Sequence, residues 1–555
     1  MDENVSYPFI DTSSFDLIVV GTGLPESVIA SAASAAGKSV LHLDANPFYG
    51  SHFSSLPLDS FTSFLQSQQN IPQKEYSSSI ENYSQSDCVV VGLESRCLYS
   101  NFEISSHVSP ESLEPSRKFS LDISGPRVLF CADPAVDLLL KSGASHHIEF
   151  KSIDASFIYT GDGRLLAVPD SRAAIFKDRS LGLTEKNQLM RFFKLVQEHF
   201  ESVAADGDRK EEKRRISEED LESPFIEFLN KQRLPPKIKS IILYAIVMAD
   251  CDQDHPEISE NLVKTKDGIE KLALYHSSVG RLANASGAFI YPIYGQGELP
   301  QAFCRCAAVK GALYVLRMPV TALLLDKESS HYKGVRLASG QEMFFHHLVV
   351  DPSYVVPSSS ILSLTVDLQQ KSAHGSSLAV VKGKVARAIC VTRGSVKPDL
   401  SNLLLVFPPR SLNSKQVKSI RALQLGSNLA VCPSGLFLLY LSTVCDDAIQ
   451  GKESLHAAMD ALFTPVSEDN DSTSVVSKDM EGQTKPSLLW SAMYIQEMAM
   501  GSSDTISFCC MPDGNLDYCD LLKSTVELFR EMYPMEELFP QTTAEKIEDD
   551  GDSLD

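Results

Sequence analysis

The chain has 555 residues, enough for two or more domains with sizeable cores, and its 43% hydrophobic content is that of an ordinary globular protein. A formal net charge of -22 opposes a nucleic-acid partner, whose phosphates it would repel, and a polybasic membrane anchor. The N-terminus lacks a basic-then-apolar leader, no apolar run approaches the roughly 18 residues of a membrane span, and no prenylation motif closes the chain. A soluble, cytoplasmic protein is expected, with the 12 cysteines as thiols. Cys304 and Cys306 are spaced CxC, Cys509 and Cys510 adjoin, and the His146-His147 and His346-His347 doublets lack a carboxylate at helical spacing, so no metal is expected.

The chain opens with FDLIVVGTGLPES, a buried strand at Leu17 to Val20, a glycine turn and an Ala/Ser-rich helix stopped by Gly37. A second strand, Ser39 to Leu43, ends at Asp44, about 20 residues past the turn, where an acid would take a ribose hydroxyl. That is the start of a dinucleotide fold, but Gly21 and Gly23 are followed by Glu26 where the third glycine belongs. A carboxylate there enjoys the helix N-terminus and puts negative charge where a pyrophosphate would lie. The turn of Gly21, Gly23 and Glu26 therefore reads as a disused phosphate seat, and no cofactor is expected.

Residues 51–85 are rich in Ser and Gln and read as a surface insertion. A helix is expected after Gly125-Pro126, with Val128, Leu129, Val136, Leu139 and Leu140 as its apolar positions and Gly143 as its stop. A short strand pair from Phe157 to Val168 turns at Gly161-Asp162-Gly163, and Thr184 caps a helix striped by Leu189, Phe193, Val196 and Phe200. The mixed-charge run 206–220 reads as solvated, and Pro235-Pro236 opens a helix whose Ile238, Ile241, Ile242, Ala245 and Val247 crowd nearly every face. From Ala288 onward short strands dominate, a second low-complexity insertion covers 467–485, and a last helix from Tyr518 to Met532 precedes an acidic tail. The expected organisation is α/β: a domain formed by 1–125 and 251–540, whose later strands complete the sheet begun at Phe15, with a helical domain at 126–250 inserted and a tail at 541–555.

No GxSxG elbow, HExxH or DFG set is present, and Ala32 breaks the Walker spacing of AAGKSV, which shifts the weight from an enzyme toward a binding protein. The most distinctive block is YPIYGQGELPQAFCRCAAVKGALYVL, where Phe289, Tyr291 and Tyr294 adjoin two glycines and Glu298, Gln301 and Arg305. A helix opening at Leu299 brings those three polar residues together, either as mixed-sign hydrogen bonders for a protein partner or as an internal ion pair among buried tyrosines.

VVGTGLPES, NPFYG, YPIYGQGELPQAFCR and VVDPSYV together resemble the signature blocks of the Rab escort protein and Rab GDP-dissociation inhibitor family, from Phe15 to Tyr533 outside the insertions. The resemblance implies a flavoprotein-like domain I with a mixed sheet, an inserted helical domain II, and no bound flavin. It implies a platform for GDP-bound Rab small GTPases at Tyr49, Glu298, Arg305 and Tyr314; where the inhibitors flank that last Tyr with Thr and Met, this chain has Leu313 and Val315. SRAAIFKDRSLGLTEKNQLMRFF is similar to the escort version, and the chain as a whole resembles a plant-like member. Phe176 then matches the residue that contacts the Rab geranylgeranyltransferase alpha/beta heterodimer, and Asn187 stands where the escort family has a partnering Arg. The implied role is non-catalytic: to present Rab for prenylation and keep the geranylgeranyl product soluble until transient membrane contact. A lipid of roughly 20 carbons gains on the order of 10 kcal/mol in an apolar groove, for which Val128 to Leu140, Leu189 to Phe200 and Ile238 to Met248 are the candidates. A recycling inhibitor, and behind it a flavin oxidoreductase, are the alternatives.

Overall fold

The computed structural model describes residues 7–69, 80–81, 87–109, 113, 115–169, 182–204, 215–255, 261–285, 287–329, 331–356, 380–465, 485–500 and 506–540. Phe176, the tail 541–555, most of the run 206–220 and all but the end of the insertion 467–485 lie outside the described residues.

The opening unit forms as its pattern dictates. The strand Ser14–Val20 lies parallel to Val40–Asp44 on one side and to Glu342–Val350 on the other. Leu313–Leu316 adds a parallel edge strand to Val40–Asp44, and Tyr332–Leu337, Val320–Asp326 and Cys88–Gly92 extend the far side in antiparallel fashion, giving a mixed nine-stranded sheet. The helix Leu24–Ala35 is buried on nearly all sides, which its small Ala and Ser side chains permit. Helices Glu298–Val309 and Cys519–Met532 pack beside it through Leu299, Phe303 and Phe529 over Leu17, Val19 and Val28.

Most of the later strands do not complete that sheet. Val380–Arg393 pairs antiparallel with Leu436–Cys445 and with Ser487–Met500, and these build a second nine-stranded sheet with Ile420–Gly426, Leu403–Phe407 and Ala155–Tyr159. The hairpin at Gly161 to Gly163 is present and forms the border of this second sheet. Periodicity identifies a strand but not its partner, since pairing is settled by side chains on other segments.

Two local expectations also change. The first half of 51–85 is core: Phe61 and Leu65, on helix Leu58–Gln69, are fully buried, with Phe61 packing edge-on to Trp490 and close to Tyr494. Its many Ser and Gln residues hide a Leu58, Phe61, Leu65 stripe with helical spacing. The helix expected from Val128 begins only at Pro134, because Asp133 caps it by accepting the Ala135 N–H and Pro134 takes the first position; Leu129–Phe130 is instead a strand paired with Phe289–Ile290. Gly143, at φ 78°, ends that helix as expected, and its Leu138 and Leu139 join the core of the first sheet.

The helices of the middle of the chain are Leu183–Ala204, Phe225–Lys231, Pro236–Ser240 and Thr265–Ser278, with a π-helical run at Ile241–Ile246. Thr184 lies inside its helix rather than capping it; Glu185 reaches back to accept the Gly182 N–H at 2.8 Å. Thr265–Ser278 lies beyond residue 250, yet its Gly268 faces the Phe225 ring so closely that a β-carbon would stand 2.6 Å from it.

Candidate functional site

The glycine turn is filled by the chain's own side chains. Asp44, placed at the end of its strand to meet a ribose, instead accepts from the Thr22 N–H at 2.9 Å, the Thr22 hydroxyl at 2.6 Å, the Ser51 hydroxyl at 3.0 Å and the Asn46 N–H at 2.8 Å. Glu26 folds back over Gly23, where its carboxyl takes the space that a β-carbon, or a phosphate, would need. Burial first, and the nearby charge of Asp351 second, raise the Glu26 carboxyl well above the usual carboxylate range, and its Oε2 has no hydrogen-bond partner among the described residues. The seat is closed by the chain's own side chains, and these residues do not fit a dinucleotide. Glu26→Gly is expected to bind no stoichiometric flavin, because Asp44 stays committed to Thr22 and Ser51; flavin absorbance in the purified variant would overturn this.

At the open border of the first sheet, register sets Tyr314 opposite His42, with ring centroids 4.7 Å apart, and Tyr49 stands edge-on to Tyr314 at 6.2 Å. His42 is fully buried, and desolvation lowers its pKa to about 4, so a neutral imidazole backs the tyrosine pair. Leu313 and Val315 lie on the face opposite Tyr314, Leu313 exposed and Val315 buried in that face's core.

Helix Glu298–Val309 brings Cys304 against Tyr314, and Arg305, next to it, is exposed. Glu298, Gln301 and Arg305 share one face of the helix, and all three border a cleft of about 550 Å³. Among the described residues Glu298 and Arg305 form no ion pair with each other; Glu298 accepts the Tyr294 N–H at 3.0 Å. Of the tyrosines in this block, Tyr291 is buried against Asp122, while Tyr294 is exposed. The structure thus brings Tyr49 together with Tyr314, and Glu298 together with Arg305, on adjoining elements.

The other expected sites are less complete. Phe176 lies outside the described residues, and Asn187 is exposed on helix Leu183–Ala204. Leu189, Phe192 and Val196 belong with Ile238, Ile242 and the rest of the π-helical run to one hydrophobic core. Val128 to Leu140 is not one helix, and its side chains divide between two cores.

Sequence reasoning missed a knot of buried arginines. Arg387 donates to the carbonyls of Ser124, Gly125 and Asp513 and to Gln496, Arg127 to the carbonyls of Asp513 and Asp517 and to the Asp513 carboxylate, and Arg421 to the carbonyls of Gly514 and Met248. The signal was a lone charge in the apolar strand VARAICV.

A mixed sheet begun by a blocked dinucleotide turn, with tyrosines and a charged helix face at its border, defines a binding protein built on a flavoprotein-like frame. Residues 10–82 and 79–496 match the family model described as GDP dissociation inhibitor, and the chain belongs to that family. It is 56% identical over 543 residues to Rab escort protein 1 of Arabidopsis thaliana, covering 97% of this chain and 96% of that one. It is 25% identical over 669 residues to the human Rab proteins geranylgeranyltransferase component A 1, covering 98% and 94%. The crystal structure of a RAB GDI from Plasmodium falciparum shares the fold, with a TM-score of 0.66 at 17% identity over 95% of this chain and 99% of that one. Among the described residues no helix is long and apolar enough to cross a membrane.

Proposed function

We infer that this chain is a Rab escort protein, the non-catalytic component that holds newly made, GDP-bound Rab GTPases, presents them to Rab geranylgeranyltransferase and carries the lipidated product toward membranes. The near-full-length likeness to the Arabidopsis protein of that name carries the reading. Tyr49 and Tyr314 on the sheet border, with Glu298 and Arg305 on the adjoining helix, form the Rab platform. Phe176 and Asn187 meet the transferase. The geranylgeranyl chain enters between the helices around Leu189 and Ile242, which must part to admit it.

Prenylation of a GDP-loaded Rab by purified transferase, with and without this chain, tests the reading. An escort makes geranylgeranylation depend on its presence, whereas a recycling inhibitor of the same family leaves Rab unmodified. The transferase contact has its own test. A neutral amide at 187 forgoes the charge-assisted contacts of an Arg, about 1.5–3 kcal/mol or roughly ten- to a hundred-fold in affinity, so docking rests mainly on Phe176. Phe176→Ala is expected to abolish support of prenylation while sparing Rab binding, and Asn187→Arg to tighten transferase binding. Normal prenylation with Phe176→Ala would remove that contact from the reading.

A further inference from the structure

The cleft beside the platform has a wall that none of the four platform residues supplies. Tyr294 is 58% exposed, yet its backbone is held at both ends: its N–H donates to Glu298 Oε2 at 3.0 Å and its carbonyl accepts from the Ser120 hydroxyl at 2.7 Å. The turn beneath it is fixed too. Gly295, at φ 104°, closes a bond to Pro292, and the Gly297 N–H donates to Ser55 Oγ at 2.8 Å. An exposed aromatic ring on a rigid turn at the lip of a cavity large enough for a ligand is the form that interface anchors take.

Two carboxylates share the cleft with the ring. Glu149 is placed by its carbonyl, which accepts the Ile293 N–H at 3.0 Å, and Glu298 by its bond to the Tyr294 N–H; both line the cleft. Among the described residues neither has an ion-pair partner. The charge of Glu149 works against ionisation of the half-buried Glu298, adding to its burial and opposed by the Tyr294 N–H and by Arg305. Arg305 stands seven residues along the helix from Glu298, roughly 10 Å of backbone at 1.5 Å per residue, and among the described residues it forms no ion pair with either carboxylate. His146 and His147 complete the lining.

We propose that this cleft receives a basic side chain, an arginine or lysine, of the bound GTPase, stacked on Tyr294 and bracketed by Glu149 and Glu298. The inference rests on the escort reading and deepens it. Glu298 then has two tasks: it fixes the backbone of Tyr294 and supplies one of the two charges. A cation over a tyrosine face, close to carboxylates in a partly desolvated cleft, gains from both the ring quadrupole and the opposite charge. Glu149 and Tyr294 thereby become partner-contact residues beyond the platform.

The test is titration of the full chain with unprenylated, GDP-loaded Rab at low and moderate salt, for the wild type, Tyr294→Ala, Tyr294→Phe, Glu149→Gln and Arg305→Ala, with melting temperatures recorded for each. Tyr294→Ala is expected to weaken binding on the order of tenfold or more, Tyr294→Phe to keep it within about twofold, and Glu149→Gln to weaken it severalfold with a flatter salt dependence. Wild-type affinity for Tyr294→Ala and Glu149→Gln, alongside weakened Arg305→Ala, overturns the cleft and leaves the platform standing. If Arg305→Ala also binds like the wild type, the cleft is overturned together with the place of Arg305 in the platform. Tighter binding by Glu149→Gln overturns the basic occupant.

Discussion

Arg387→Ala is expected to cost the folded protein about 3–5 kcal/mol, the range found when one member of a buried charged network is removed. The guanidinium is fully enclosed and makes four hydrogen bonds, to Gln496 at 2.7 Å, to the carbonyls of Ser124 and Gly125 at 2.8 and 2.9 Å, and to the Asp513 carbonyl at 2.7 Å. Burial lowers its pKa to about 10, which leaves it charged at neutral pH. Truncation would take the donor from the buried carbonyls of Ser124 and Gly125 and from the Gln496 amide oxygen, each costing on the order of 1–3 kcal/mol before relaxation, while the Asp513 carbonyl keeps its bond from Arg127. Lysine cannot substitute, because its donors do not match the planar fork that reaches several carbonyls at once. The loss would spread beyond one strand, since Arg387 joins the second sheet to residues 124–125 and, with Arg127, to the segment around Asp513. Urea midpoints for Arg387→Ala and Arg387→Lys measure the effect; a shift equivalent to less than about 1 kcal/mol for Arg387→Ala would show that the knot is dispensable.

Arg305→Ala is expected to do the opposite: weaken the binding of GDP-loaded Rab by at least about 2 kcal/mol, roughly thirty-fold, with the melting temperature unchanged. The difference lies in burial. Arg305 is exposed on its helix and has no ion-pair partner among the described residues, so its removal strands no buried group, whereas an interface would desolvate it against the partner. Tyr49→Ala should weaken binding as well, since it takes away the ring that meets Tyr314 edge-on at 6.2 Å. Full affinity in both variants would refute the platform, and a lowered melting temperature for Arg305→Ala would assign that residue to the fold instead.

Read from the sequence alone, the opening strand, glycine turn, helix and second strand were legible because each is encoded within a few neighbouring residues: apolar period, turn glycine, small-residue helix, stop. The blocked seat was legible for the same reason, since Glu26 stands where a glycine is required. The proposed platform residues came from motif resemblance and lie on adjoining elements, whereas the exposure of Leu313 against the burial of Val315 was not legible, because residues two apart share one face of a strand and only their surroundings differ.

What the tertiary structure alone decided were matters of partnership across long separations. Val380–Arg393 could have joined either sheet on its pattern, and only its ladders with Leu436–Cys445 and Ser487–Met500 place it in the second. The Ser/Gln-rich stretch after residue 51 is core because Phe61 meets Trp490 and Tyr494, more than four hundred residues away. The Glu26 carboxyl is pushed above the usual range because folding buries it beside Asp351, and Arg387 is tolerated in an apolar strand because carbonyls 262 and 263 residues distant converge on it. Periodicity, caps and turns are local properties of the chain, whereas burial, protonation and the satisfaction of a buried charge belong to the set of groups that folding brings around a residue, and no local stretch of sequence contains that set.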